Sequence, residues 1–91
     1  MSEQVRRRVV VRGHVQGVFF RDSCRREAAG RGVAGWVTNR RDGAVEAVFE
    51  GEAGAVAAMV DWCRRGPRGA AVESVEDAPE EPDGMAGFEI R

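Results

Sequence analysis

The order of strand and helix patterns along the 91 residues constrains the fold of this chain more than any other feature. Near the middle, two strand patterns are joined by a turn that ends in Asp42-Gly43, which is typical of a tight hairpin. An amphipathic helix pattern lies on each side of this hairpin. The patterns predict strands over 5–12, 33–38, 44–50, 70–75 and 88–91, a helix from about Phe20 to Gly30 or Gly32, and a helix between Gly51–Gly54 and Gly66.

This order, β-α-β-β-α-β with a further short C-terminal strand, predicts one fold class. It is the split βαβ or ferredoxin-like sandwich of the α+β class, with two helices on one face of a mainly antiparallel sheet. Both crossovers are expected to be right-handed. The acidic, proline-containing segment 78–84 is predicted to be a loop. A chain of this length is expected to form a single domain over residues 1–91.

The charge of the chain is nearly balanced overall but unevenly distributed. The formal net charge is −1, whereas residues 1–43 carry ten Arg against four acidic residues. A basic N-terminal half suits an anionic ligand, although the Arg6-Arg7-Arg8 run fits an uneven solvated surface equally well. The whole-chain balance argues against electrostatic binding of duplex DNA.

The cysteine and histidine content speaks against a metal or redox site. Cys24 and Cys63 match no zinc spacing and no Cys-x-x-Cys pair, and both fall on apolar helix positions. We expect them to be reduced, half-buried packing residues. His14 is the only histidine, so a histidine-based metal site is excluded. The sequence shows no secretory segment or membrane span, which predicts a cytoplasmic protein.

Residues 13–21 form a glycine-containing loop between the first strand and the first helix. Gly13 and Gly17 allow backbone angles that turn successive N–H groups inward, and a helix N-terminus carries unpaired N–H groups with a partial positive charge. Arg21, in the first helical turn, can bind two phosphate oxygens at once. The loop therefore predicts an oxyanion site. The alternatives are a simple tight turn and a solvated arginine.

Asn39 lies where the second strand ends, and the predicted fold can bring it near the loop and Arg21. Its carboxamide could donate to and accept from one water beside a bound phosphate, although asparagine is also common in turns. The loop lacks the Gly-Lys-Ser/Thr ending of a P-loop, and neither Ser23 nor Cys24 has an adjacent base. Metal-free hydrolysis without a covalent intermediate requires a good leaving group. An acyl phosphate meets this condition, because a carboxylate leaves easily.

Four segments together resemble the acylphosphatase family, small enzymes that hydrolyse carboxyl–phosphate anhydrides. They are residues 13–21, 35–39, 42–46 and 88–91, which spread over essentially the whole chain. The resemblance implies that Arg21 binds the phosphate, that Asn39 positions the attacking water, and that no metal or organic cofactor is needed. It also implies that the phosphate oxygens lie in a cradle formed by the backbone of Val15, Gln16, Gly17, Val18, Phe19 and Phe20.

From the resemblance we expect an acyl phosphate as substrate and inorganic phosphate as product or inhibitor. The charge balance and the lack of a long apolar run predict that the protein has no nucleic-acid or membrane partner. A monomer is the expected oligomeric state. The resemblance assigns no role to His14, to Arg68 or to the acidic residues 80–83.

Two other functions fit the same predicted fold. The first is a non-catalytic module that binds an anion or RNA, with Trp36, Phe49 and Phe88 as the aromatic side chains that could stack on bases. The second is an acylphosphatase-like module serving carbamoyl transfer. Such modules stand at the start of larger enzymes with zinc-finger and nucleotide-binding parts, for which this sequence has no counterpart.

Overall fold

A computed structural model describes residues 3–91 of the chain. The elements are β1 (Gln4–His14), α1 (Phe20–Gly30), β2 (Ala34–Asn39), β3 (Val45–Glu52), α2 (Ala53–Arg65), β4 (Ala71–Glu80) and β5 (Phe88–Ile90). The sheet has the strand order β4-β1-β3-β2-β5, and all neighbouring strands are antiparallel except β2 and β5, which are parallel. The predicted ferredoxin-like α+β class is therefore confirmed.

Both helices pack on one face of the sheet and enclose a single apolar core with alternate residues of the strands. Cys24 and Cys63 are fully buried there as free thiols, more deeply than the half-buried positions expected from the sequence. A hydrogen bond with Cys63 and burial raise the pKa of the Cys24 thiol well above its ordinary value. Neither helix of residues 3–91 is long and apolar enough to cross a membrane. Large core members include Val9, Val11, Val37, Phe49, Val56 and Met59.

The first strand is longer than predicted, because a β-bulge lets it continue past Arg12. The register against β4 shifts between Arg12 and Gly13, and the strand ends only at His14. Gly13 has φ 132°, and a Cβ there would lie 2.2 Å from the carbonyl oxygen of Ala71. The absence of a side chain at Gly13 therefore allows β4 to approach β1 closely. The backbone conformation that favours glycine was predicted, but Gly13 lies in β1 and not in the loop, so its predicted place in the loop was wrong.

The predicted loop over 78–84 was also wrong for its first three residues, which belong to β4. Proline lacks the N–H that a central strand needs, but β4 is an edge strand and tolerates Pro79. The end of β4 is further held by Glu80, which accepts hydrogen bonds from Arg6 (2.9 Å) and Arg8 (2.6 Å). Tertiary pairing thus extends a strand that local propensity would end.

The Arg6-Arg7-Arg8 run pairs with acidic side chains of the neighbouring strands. Arg8 also pairs with Glu46 of β3, and Arg7 donates to Asp77 of β4 at 2.6 Å. Arginines of the basic N-terminal half thus pair across the sheet with acidic residues of the C-terminal half. The run offers no open anion-binding surface.

The carboxylate of Glu50 is buried and organises the segment before β5. It accepts hydrogen bonds from the backbone N–H groups of Asp83, Gly84 and Met85 at 2.7–2.9 Å. Burial by itself raises the pKa of Glu50, but these donors and the positive charge of Arg6 outweigh it, so the net pKa lies below its ordinary value. The charged form therefore stabilises the fold.

We expect Glu50→Gln to lower the free energy of unfolding by about 1–3 kcal/mol at pH 7, because buried N–H donors lose a charged acceptor. Since folding depresses the Glu50 pKa, its contribution is present above the pKa of the unfolded chain and is lost as pH falls through the folded value. Urea unfolding between pH 7 and pH 3 should show the wild-type advantage shrinking in acid. The exposed Glu81→Gln serves as control. A pH-independent difference would contradict the role of the charge.

Candidate active site

A cleft of about 320 Å³ opens between the β1–α1 loop, the end of β2 and strand β5. It brings together three segments that are distant in sequence. A volume of this size is at the lower end for sites that bind small molecules. The lining residues are Val15, Gly17, Phe19, Phe20, Arg21, Asp22, Asn39 and Ile90.

The β1–α1 loop leaves backbone donors unpaired at the start of α1. Gly17 (φ 74°) and Phe19 (φ 58°) both adopt left-handed backbone conformations. Within residues 3–91, the N–H groups from Gln16 to Phe20 donate to no other protein group. By contrast, the N-terminus of α2 is capped by the carboxylate of Glu52, which accepts from Gly54 and Ala55. The loop and the uncapped N-terminus of α1 therefore offer several donors to an anion.

The side chain of Gln16 anchors this loop to the β2–β3 turn. Its Nε2 donates to the carbonyl oxygens of Arg40 (2.8 Å) and Ala44 (3.0 Å). From the sequence, only the backbone of Gln16 was predicted to belong to the site. The bond to the turn was not predicted, because nothing local in the sequence indicates a partner more than twenty residues away.

Gln16→Glu should loosen the loop, because a carboxylate would replace two donated hydrogen bonds with repulsion from two carbonyl oxygens. We expect inorganic phosphate to bind about tenfold more weakly to this variant, with a loss of about 1–3 kcal/mol in unfolding free energy. Calorimetric titration with phosphate and urea unfolding measure the two effects. Gln16→Met, which keeps the length but lacks donors, should fall between wild type and Gln16→Glu. Wild-type phosphate affinity in both variants would contradict the anchoring role.

Arg21 lies on the first turn of α1, exposed at the cleft. The neighbouring carboxylate, Asp22, pairs instead with Arg25 and Arg26 on the following turn of the helix. No acidic side chain of the described residues forms an ion pair with the Arg21 guanidinium. A cation at a helix N-terminus opposes the helix dipole, and an anion bound between the two relieves this repulsion.

Asn39, the last residue of β2, lines the same cleft as Arg21. Its Oδ1 is buried and accepts no hydrogen bond, and its carboxamide donates none within residues 3–91. An unsatisfied buried amide oxygen costs about 1–3 kcal/mol. The Asn39 carboxamide therefore has hydrogen-bonding capacity that no group of residues 3–91 uses.

The turn that follows Asn39 is stabilised by Asp42. Its carboxylate accepts from the backbone N–H of Ala44 (3.1 Å) and pairs with Arg12 (3.3 Å) and Arg40 (3.1 Å). The hydrogen bond from Ala44, followed by the two arginines, lowers the pKa of Asp42 below its ordinary value. The turn, and with it the end of β2, is thereby fixed beside the loop.

Strand β5 contributes Ile90 to the lining of the cleft. Beyond its end, the backbone of Arg91 bonds to β2 twice: its N–H donates to Val37 (2.9 Å) and its carbonyl accepts from Oγ1 of Thr38 (2.9 Å). The guanidinium of Arg91 lies 5.1 Å from the ring centre of Trp36. These contacts hold Ile90 at the cleft.

The remaining residues considered from the sequence lie elsewhere. Gln16 and Val18 belong to the loop but do not line the cleft, and Val18 packs against the core. His14 and Arg68 are exposed outside it. From Glu3 to Arg91, no group of three His, Cys, Asp or Glu side chains is arranged to hold a metal ion.

The aromatic side chains considered for RNA stacking are not displayed together. Phe49 is fully buried in the core and stacks on Phe88 at 5.9 Å between ring centres. Trp36 lies on the opposite face of the sheet, where Arg8 (5.5 Å) and Arg91 (5.1 Å) approach its ring. This arrangement does not favour the RNA-binding alternative.

The comparisons with known proteins agree on one family. The family described as Acylphosphatase matches residues 7–90. The acylphosphatase of Rubrobacter xylanophilus is 62% identical over 86 residues, spanning 92% of this chain and 77% of that protein. That of a Synechococcus strain is 53% identical over 91 residues, spanning 100% and 97%. A solved acylphosphatase from Coxiella burnetii superimposes with a TM-score of 0.93 at 36% identity, covering 97% and 93%.

Proposed function

Because the chain belongs to the acylphosphatase family, we propose that it hydrolyses acyl phosphates to a carboxylate and inorganic phosphate. One observation carries the proposal at the level of the site. An arginine without an ion-pair partner in the described part of the chain, an uncapped helix N-terminus and an unsatisfied carboxamide border the same small cleft. Each of these groups lacks a partner that a phosphate or its attacking water would provide.

The phosphoryl group is bound by Arg21 and by the loop from Val15 to Phe20. The guanidinium fork pairs with two oxygens, and the unpaired N–H groups of the loop donate to the others. Charge on the equatorial oxygens persists in the transition state of phosphoryl transfer, so fixed donors around them stabilise it. The unpaired state of these donors in the protein alone supports this assignment.

A water molecule held by Asn39 attacks the phosphorus in line with the leaving carboxylate. The carboxamide oxygen can accept a hydrogen bond from the water and the amide nitrogen can donate one to the water oxygen, which fixes the direction of attack. Asparagine is no general base, so the substrate's own phosphate takes the proton of the water. A rotation about the side-chain torsion turns the buried Oδ1 toward the cleft.

The reaction as proposed needs no metal, organic cofactor or covalent intermediate, and a monomer suffices. The leaving carboxylate is stable as an anion, so it departs without protonation. Inorganic phosphate, which carries the same tetrahedral oxygens as the substrate, is expected to be both product and inhibitor.

The first experiment measures hydrolysis of benzoyl phosphate by purified protein, with and without excess EDTA. We expect rapid turnover that the chelator leaves unchanged, and no turnover of p-nitrophenyl phosphate, whose leaving group requires more assistance. Activity abolished by EDTA would contradict metal-independent hydrolysis. No turnover by the folded protein would favour an anion-binding module, and faster cleavage of carbamoyl phosphate than of benzoyl phosphate would favour a carbamoyl-transfer role.

A further inference from the structure

Two large apolar side chains are exposed in the described part of the chain, and both lie at the cleft. Phe19 is 82% exposed and Ile90 is 41% exposed. They come from different segments of the chain, since Phe19 belongs to the β1–α1 loop and Ile90 to β5. Exposed apolar groups that meet at a cleft mark a surface that contacts a ligand or partner.

The exposure of Phe19 is not a by-product of core packing. Its neighbour Phe20 is buried against Trp62, with 5.2 Å between ring centres, and fills the space beneath the loop. Phe19 instead adopts a left-handed conformation (φ 58°, ψ 28°) that phenylalanine disfavours. Residues held in such conformations are concentrated at functional sites.

We propose that Phe19 and Ile90 form a subsite for the acyl group and make the site prefer acyl phosphates with an apolar aryl or branched alkyl group. This inference rests on the proposed function. Arg21 and Asn39 supply the polar groups of the cleft for phosphate and water, which leaves the apolar walls for the rest of the substrate.

The charges around the cleft support the same selection. Within residues 3–91, Arg21 is the one cationic side chain that lines the cleft, and the phosphate occupies it. Asp22 lines the cleft as well, so a negatively charged acyl group would find no second cation there. The volume of about 320 Å³ leaves room for a small acyl group beside a phosphate.

The test compares kcat/KM for benzoyl phosphate and acetyl phosphate in wild type, Phe19→Asn and Ile90→Thr. Asparagine tolerates the left-handed conformation of position 19, and threonine keeps a β-branched side chain in β5. We expect wild type to prefer benzoyl phosphate, and each variant to lose about tenfold on this substrate, as for a lost apolar contact in a binding pocket. For Ile90→Thr, which lies outside the phosphate-binding loop, rates on acetyl phosphate should stay within about twofold. For Phe19→Asn, the loss on benzoyl phosphate should exceed the loss on acetyl phosphate by at least about threefold. Val10→Thr, on the open face of the sheet, serves as the matched control.

Equal losses on both substrates would overturn the subsite, as would a wild type without preference. Calorimetric binding of benzoylphosphonate and acetylphosphonate, which are not hydrolysed, separates this inference from the proposed function. If wild type turns over neither substrate but binds benzoylphosphonate more tightly, and the variants lose that difference, the proposed function fails and the apolar subsite stands. Equal binding of the two phosphonates to wild type would overturn the subsite whatever the turnover.

Discussion

Arg21→Ala is expected to lower kcat/KM for benzoyl phosphate by about 10²–10³-fold or more, the range for loss of one donor to a developing oxyanion. The guanidinium is proposed to contact the phosphoryl oxygens both before and during the reaction, so the affinity for inorganic phosphate should fall as well. Steady-state kinetics and calorimetric titration with phosphate measure the two effects. Because the side chain is exposed and pairs with no carboxylate within residues 3–91, thermal stability should change little.

Arg21→Lys tests whether the shape of the cation matters as well as its charge. A lysine places a single ammonium where the arginine offers a planar fork, so its activity should be nearly as low as that of the alanine variant. Arg68→Ala removes an exposed arginine outside the cleft and controls for the change in net charge. Near-full activity of Arg21→Lys would contradict bidentate binding of the phosphate.

Asn39→Ala should lower kcat by about 10²-fold, the cost of misplacing a reacting group, and leave the inhibition constant of inorganic phosphate within about twofold. The carboxamide is proposed to orient the attacking water and not to bind the phosphate. Initial rates with phosphate as competitive inhibitor measure both quantities.

Asn39 could instead stabilise the structure, and the experiment must distinguish that role from positioning of the water. The side chain forms no hydrogen bond within the described residues, so its removal should not lower the melting temperature. Thr38→Val serves as the control, because it removes the hydrogen bond from Thr38 to the carbonyl of Arg91. Its kcat and inhibition constant show the effect of loosening this strand end alone. Equal losses in turnover and phosphate binding for Asn39→Ala would show that the residue is structural.

Local sequence patterns predicted the elements well where neighbouring residues decide the conformation. The Asp42-Gly43 turn, the apolar stripe of α2 and the start of α1 at Phe20 lie where they were predicted. The errors occurred at strand ends whose positions depend on pairing between distant segments. β4 continues through Pro79 because it is an edge strand held by arginines of β1, and β1 continues to His14 because Gly13 accommodates a bulge.

The candidate site was likewise predicted where residue type is informative, and not where contacts join distant segments. The residue types at 13–21 and at Asn39 predicted phosphate chemistry, because few side chains can bind an oxyanion in a loop or orient a water. The anchoring bonds of Gln16 and the nest of N–H donors around Glu50 were not predicted, since their partners are backbone groups that carry no sequence signal. The catalytic roles of Arg21 and Asn39 remain predictions for the variants above.

By itself, the sequence determined the order of elements, the fold class and the groups available for chemistry, because periodicity and residue type act locally. Only the tertiary structure decided that Arg21, Asn39 and Ile90 meet at one cleft, since strand pairing joins segments that are far apart along the chain. It also decided that the arginine run of β1 is paired with acidic neighbours while Arg21 forms no such pair within residues 3–91. An arginine that no carboxylate neutralises in the folded chain keeps its charge available for an anion.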